Sequence, residues 1–89
     1  GAPSARALPS MVWTGTEMIV WGGTPDGNTA LNTGGRYNPA TDTWSATTTT
    51  NAPSARFSHQ EEWTGTEMIV WGGTPDYTTA LNTGGRYTP

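Results

Sequence analysis

The chain has 89 residues and a formal net charge of −3, and it contains no lysine and no cysteine. The acidic balance argues against nucleic acid and anionic membranes as partners, and disulfides are excluded. No apolar stretch approaches the roughly 20 residues that span a bilayer, so we expect a soluble chain whose compartment the sequence does not indicate.

A period of 50 residues orders the predicted elements. Residues 13–26, WTGTEMIVWGGTPD, recur letter for letter at 63–76. When 1–39 are aligned with 51–89, the copies differ only at positions 1, 7–12, 27, 28 and 38. In each copy, short runs of β-branched and aromatic residues alternate with Gly, Pro, Asn and Asp, a pattern typical of strands. The sequence therefore predicts an all-β fold with a four-stranded antiparallel unit in each repeat.

In chain order, strand one is predicted at 7–13 (57–63 in the second copy) and strand two at 17–21, with a tight turn at Gly15 between them. A polar connection, 24–33, leads to strand three at 34–38, and strand four follows at 43–48. The sequence ends at Pro89, where the second copy of strand four would begin. The predicted units are thus residues 1–50 and residues 51–89, the latter lacking the outermost strand.

Three features recur in register: a glycine doublet that ends the second strand, a tyrosine on the third and a tryptophan on the fourth. They are Gly22, Gly23, Tyr37 and Trp44 in the first copy and Gly72, Gly73 and Tyr87 in the second, which ends before its tryptophan. This pattern resembles the kelch repeat. The resemblance implies kelch-type β-propeller blades, in rings that usually have six or seven of them. It makes 1–50 one blade and 51–89 a second, incomplete blade.

Two blades cannot close a ring, and a chain with 33% hydrophobic residues builds a thin core of its own. Because propellers have about 4–8 blades, we expect three or four copies of the chain to close a ring as a homo-oligomer. A fragment of a longer repeat protein is the alternative. Six of the differences are consecutive, at 7–12. Such a block favours engineering from a consensus over recent duplication, because drift would scatter the differences.

The expected function is accordingly that of a designed, self-assembling structural module without catalytic activity. The alternative is a natural kelch binding module that recognises protein or glycan through its loop face. An enzyme is not expected, because the chain has a single histidine, no cysteine and no glycine-rich phosphate loop between a strand and a helix.

One candidate chemical site combines His59 and Glu61. Side chains two residues apart on a strand share a face, and imidazole and carboxylate are ligands for zinc or a similar divalent cation. The hypothesis places this metal in the central channel of the ring. We expect that no cofactor binds, that His59 hydrogen-bonds a neighbouring loop and that Glu61 and Glu62 are solvated; the metal site is the alternative.

A second candidate site is the loop face, where Phe57, Asp76 and Tyr77 are predicted contacts for a partner; exposed tyrosine is a common interface residue. The alternative is that the loop differences between the repeats are neutral. The four arginines recur at fixed repeat positions, which indicates a structural role. We expect them to bond carbonyls, or carboxylates such as Glu17 and Asp26, between the blades.

Overall fold

The structure, a computed structural model, describes residues 2–89 and contains seven β-strands and no helix within that range. The strands are β1 (Ser10–Trp13), β2 (Met18–Trp21), β3 (Gly34–Asn38), β4 (Thr43–Ala46), β5 (Gln60–Trp63), β6 (Met68–Trp71) and β7 (Gly84–Tyr87). The described residues thus hold no helix with the length and apolar character that a bilayer crossing requires. The predicted all-β fold class is confirmed.

The strands form two antiparallel sheets in chain order. Sheet one is β1-β2-β3-β4 and sheet two is β5-β6-β7. In each sheet the first two strands are joined by a short turn in which Thr14, or its copy Thr64, accepts backbone N–H groups on its side-chain oxygen. Gly15 and Gly65 take φ values of 106° and 108° in these turns. Residues other than glycine rarely adopt this backbone conformation.

Strand one is three residues shorter at its start than the sequence predicts. Ala7 and Phe57 still bridge to Thr24 and Thr74, but the residue that follows each of them leaves the extended conformation. Leu8 has a φ of 56° and Ser58 a φ of 57°, and this left-handed region interrupts a strand. As a result, His59 lies just before β5 rather than on it. Strand four also ends earlier than predicted, at Ala46 instead of Thr48.

Each sheet has two faces, because side chains that are opposite one another across paired strands point to the same side. The isoleucine face carries Ser10, Val12, Ile19, Trp21 and Arg36 in sheet one and Gln60, Glu62, Ile69, Trp71 and Arg86 in sheet two. The methionine face carries Met11, Trp13, Met18, Val20, Tyr37 and Trp44 in sheet one and Glu61, Trp63, Met68, Val70 and Tyr87 in sheet two.

The core lies where the isoleucine face of sheet one packs on the methionine face of sheet two. Its buried members are Ile19 and Trp21 from β2 and Met68 and Val70 from β6. Val12, Trp63 and Tyr87 pack around them, partly buried. Burying apolar side chains of this size stabilises the contact by about 1.5–3 kcal/mol each. The two repeats are thus held together by unlike faces of nearly identical sheets.

Candidate functional site

The candidate site is the pair of faces that the internal contact leaves uncovered. Met11 and Trp13 are exposed on the methionine face of sheet one, and Ile69 and Trp71 are exposed on the isoleucine face of sheet two. Trp21 is 2% exposed, whereas its copy Trp71 is 55% exposed. Large apolar side chains grouped in this way on a surface mark an interaction site.

An ion pair that occurs in both sheets also differs in exposure between them. Arg36 lies 3.8 Å from Glu17, and Arg86 lies 3.6 Å from Glu67. The Arg36 side chain is 31% exposed, but that of Arg86 is 74% exposed. Both arginines lie on the isoleucine face, so sheet two shelters Arg36 while Arg86 remains in solvent. The expectation that these pairs join the two units was wrong, because each pair forms within one sheet.

The other two arginines bond carbonyls, again within one repeat. The Arg6 guanidinium donates to the Gly22 and Thr33 carbonyls at 3.2 and 2.6 Å. The Arg56 guanidinium donates to the equivalent carbonyls of Gly72 and Thr83 at 3.0 and 2.7 Å. In each repeat these bonds join the segment before strand one to the two ends of the connection between strands two and three. The contact between the repeats therefore uses other groups.

Backbone hydrogen bonds contribute to the internal contact. The Gly23 N–H donates to the Arg56 carbonyl at 2.9 Å, and the Arg56 N–H donates to the Leu31 carbonyl at 3.2 Å. The Ser58 N–H donates to the Leu8 carbonyl at 3.3 Å. Directional bonds of this kind fix the register of one repeat on the next, which apolar packing alone does not do.

His59 is buried in the same contact. Its ring lies edge-on to Trp21 with centroids 5.3 Å apart, and neither ring nitrogen has a hydrogen-bond partner among the described residues. Burial, with a further contribution from the Arg56 charge, lowers the pKa of His59 to about 4. The imidazole is therefore neutral at pH 7. The expected hydrogen bond from His59 to a neighbouring loop does not form.

The Glu61 carboxylate of the second repeat lies near the backbone of the first. Burial raises the pKa of Glu61, and the backbone N–H of Met11 partly offsets this effect. Glu62 points to the opposite, isoleucine face and is exposed. Within residues 2–89, no three His, Cys, Asp or Glu side chains gather closely enough to hold a metal ion. A site for a divalent cation at His59 and Glu61 stays a prediction.

The loop face brings two of the predicted contact residues together. The Phe57 and Tyr77 rings meet edge to face with centroids 4.6 Å apart. Tyr77 is 60% exposed, but Phe57 is completely buried, so the expectation that Phe57 is a surface contact is corrected: it supports Tyr77 from below. The first repeat has Ala7 and Gly27 at these positions. The two positions change together between the repeats, a signal from which the contact between the rings could have been predicted.

Asp76, the third predicted contact, shapes its own loop. It accepts the backbone N–H groups of Thr78 and Thr79, each at 2.9 Å, and these bonds hold the pKa of Asp76 below its usual range. Asp26 makes the same bonds in the first repeat. Asp76 therefore has a structural role that is common to both loops.

The residues that suggested the repeat family occupy equivalent places in the two sheets. All four doublet glycines have positive φ values, with Gly22 and Gly72 both at 71°. The Tyr37 and Trp44 rings are in contact, with centroids 5.1 Å apart and planes tilted by 44°. Tyr87, the copy of Tyr37, lines a cavity instead. No protein-family model matches the sequence, and no curated protein matches it either.

Proposed function

We propose that this protein is a structural, designed module whose copies assemble through their uncovered faces into a closed kelch-like β-propeller of three or four chains. It performs no catalysis. The observation that supports the proposal is that the two uncovered faces are of the same two kinds as the pair that is already buried inside the chain.

Sequence identity makes the uncovered faces a near copy of the buried pair. Residues 13–26 equal 63–76, and 34–37 equal 84–87. Met18 and Val20 of a second copy therefore pack on Ile69 and Trp71 as Met68 and Val70 pack on Ile19 and Trp21. Such a contact joins unlike surfaces, so it repeats head to tail, and it closes into a ring when the rotation per chain divides a full turn.

The backbone bonds of the internal contact have equivalents at this junction. Gly73 corresponds to Gly23, and the Arg6 carbonyl of a second copy corresponds to that of Arg56. Inside the chain the Arg56 N–H donates to the Leu31 carbonyl. At the junction, the Arg6 N–H of the second copy would donate to the Leu81 carbonyl in the same way. The junction therefore has the same directional bonds available as the contact inside the chain.

The block of differences at 7–12 favours a ring in which sheet one and sheet two alternate. Inside the chain, Val12 lies on the isoleucine face and Glu61 on the methionine face that meet. Between chains, Glu62 would meet Met11. Each contact then contains one carboxylate and one aliphatic side chain, whereas a contact between two copies of sheet two would bring Glu61 and Glu62 together at a cost. Differences so placed support a designed origin.

The test is the native mass of the purified chain over a dilution series. We expect a discrete mass of three or four chains. Trp13→Lys should reduce it to one chain because it places a charge on the uncovered methionine face, whereas the control Thr16→Lys, in the exposed hairpin turn, should leave it unchanged. A single chain at all concentrations for the unmodified protein would contradict the proposal.

A second candidate function, recognition of protein or glycan through the loop face, is favoured by Tyr77. This residue holds an exposed ring on a backbone with φ of 73°, and such strain persists at binding sites more often than elsewhere. Screening against immobilised peptides and glycans tests it. Binding that Tyr77→Gly removes would support it, and binding that survives this change would exclude Tyr77 as the contact.

A further inference from the structure

A cavity of about 150 Å³ lies between sheet two, the segment 48–53 that joins the repeats, and Trp21 of sheet one. Its apolar wall is formed by Trp21, Met68, Val70 and Tyr87, and its rim includes Asn51 and Thr88. An apolar cavity of roughly this volume can hold a benzene ring. The cavity therefore has the size and the lining for one aromatic group.

Sheet one shows which group fits beside these residues. There, Trp44 stacks on Tyr37 with centroids 5.1 Å apart, and the planes are tilted by 44°. Trp44 also covers Gly35, where a Cβ atom would come within 3.2 Å of the indole. Tyr87 and Gly85 are the copies of Tyr37 and Gly35, and both line the cavity. The indole of sheet one thus marks the space that is open in sheet two.

Strand β4 places that indole by pairing with β3. The register is Tyr37 with Trp44, Arg36 with Ser45 and Gly35 with Ala46. β7 has the same four residues, GGRY, as positions 34–37, and among residues 2–89 it pairs only with β6. Its outer edge therefore presents the backbone donors and acceptors that hold β4 in sheet one.

A carboxylate provides a third point of recognition. The Tyr37 hydroxyl donates to Asp42 at 2.7 Å, two residues before Trp44. Tyr87 carries the same hydroxyl at the equivalent place. Asp42 itself lies in the turn before β4 and has a φ of 53°. A peptide that reproduces both contacts on β7 therefore carries an aspartate just before the added strand and a tryptophan on it, separated by one residue.

We propose that the edge of β7 and the adjoining cavity form a binding site for a peptide with an Asp-X-Trp sequence, in which the residues after the aspartate add as a fourth strand and the indole inserts beside Tyr87. Strand addition of this kind obtains affinity from the main chain and specificity from side-chain pockets. The site lies at an edge of sheet two and not on the faces proposed for assembly, so it operates in one chain or in a ring.

The test is a titration of the 89-residue chain with a synthetic peptide of residues 40–50, ATDTWSATTTT, in which the tryptophan is 5-fluorinated and observed by fluorine NMR. We expect saturable binding with one shifted resonance. In competition experiments with unlabelled peptides, Trp44→Ala in the peptide should weaken binding at least tenfold, and Asp42→Ala about threefold to tenfold. Equal competition by the Trp44→Ala peptide, or no binding at all, would overturn the proposal.

The matched protein variants Tyr87→Ala and Tyr37→Ala show where the peptide binds. Tyr87→Ala should weaken binding at least tenfold, while Tyr37→Ala, in the sheet whose edge β4 already covers, should change it less than twofold. The reverse result would show that the peptide displaces β4, which contradicts the proposal. If Tyr87→Ala does not fold, the peptide variants decide the matter alone.

Discussion

Sheets one and two share nearly all of their sequence, yet they bury opposite faces. In sheet one Ile19 and Trp21 are buried, and in sheet two it is Met68 and Val70, from the other side of the equivalent strand. A residue's burial here depends on its position in the stack and not on its local sequence. The equivalent residues of the two sheets therefore serve as controls for one another.

The largest contrast is expected between the two copies of one tryptophan. Trp21→Ala should lower the free energy of unfolding by about 3–5 kcal/mol, because it empties the contact between the sheets. Trp71→Ala should lower it by less than about 1 kcal/mol, because that side chain is half exposed. Urea denaturation of both variants in a Trp13→Lys background, which keeps the chain from associating, measures the difference. Equal losses would refute the contrast.

His59 makes the contact between the sheets sensitive to pH. The pKa of about 4 in the folded chain lies below the value of about 6.5 for an unperturbed histidine, so the unfolded chain binds the proton more readily. Stability is then complete above pH 6.5 and falls as the pH drops to 4, by about 3 kcal/mol in all.

The measurement is the free energy of unfolding from pH 7 to pH 4, compared with that of His59→Leu. The variant removes the imidazole titration and leaves that of Glu61, whose raised pKa acts in the opposite direction. The difference between the two curves should grow as the pH falls. Parallel curves would show that His59 titrates normally.

Two glycines with the same backbone conformation isolate the cost of close packing between repeats. Gly22 and Gly72 both have a φ of 71°. A Cβ on Gly22 would lie 2.8 Å from the His59 ring and 2.9 Å from the Arg56 carbonyl, whereas on Gly72 its nearest neighbour is 3.8 Å away.

Gly22→Ala should therefore destabilise the isolated chain by about 1–3 kcal/mol more than Gly72→Ala does, because only the first overpacks the contact. Thermal denaturation in the Trp13→Lys background compares them. In the unmodified background, Gly72→Ala should also impair assembly, since Gly72 is then the packed glycine. Equal effects on the isolated chain would contradict the interpretation.

The smallest expected effect concerns the loops. Gly27→Tyr should cost about 1 kcal/mol, because it puts a side chain at a φ of 84° with no Phe57 equivalent to pack on. Tyr77→Gly should change stability by less than that, since relief of strain offsets the loss of an aromatic pair worth about 0.5–1.5 kcal/mol. Calorimetry of both variants checks the ranking, and a larger loss for Tyr77→Gly would reverse it.

Local sequence sufficed for the strands and their order. The turn residues around Gly15 and the short run of β-branched and aromatic residues in 17–21 correctly placed β1 to β3 within three residues. Strand one was predicted too long because nothing in the types of Leu8 and Ser58 signals a positive φ. The backbone there follows from bonds to other parts of the chain, including the Ser58 N–H bond to the Leu8 carbonyl.

Which face of each sheet is buried could not be predicted from the sequence of its strands. Residues 17–21 and 67–71 are identical, so no property of the strand itself distinguishes Trp21 from Trp71. Phe57 was misjudged for a similar reason: its aromatic side chain at a position occupied by Ala7 in the first repeat suggested a surface, whereas it fills space beneath Tyr77. Only the stacking of one repeat on the other decides these cases.

The most direct test of the account mixes two capped chains. Trp13→Lys blocks the methionine face of sheet one, and Trp71→Lys blocks the isoleucine face of sheet two, so each variant alone should be a single chain. Mixed in equal amounts, they should form a dimer with one copy of each and nothing larger, as native mass spectrometry would show. Separate chains in the mixture, or a dimer of either variant alone, would contradict the claim that the two uncovered faces bind each other.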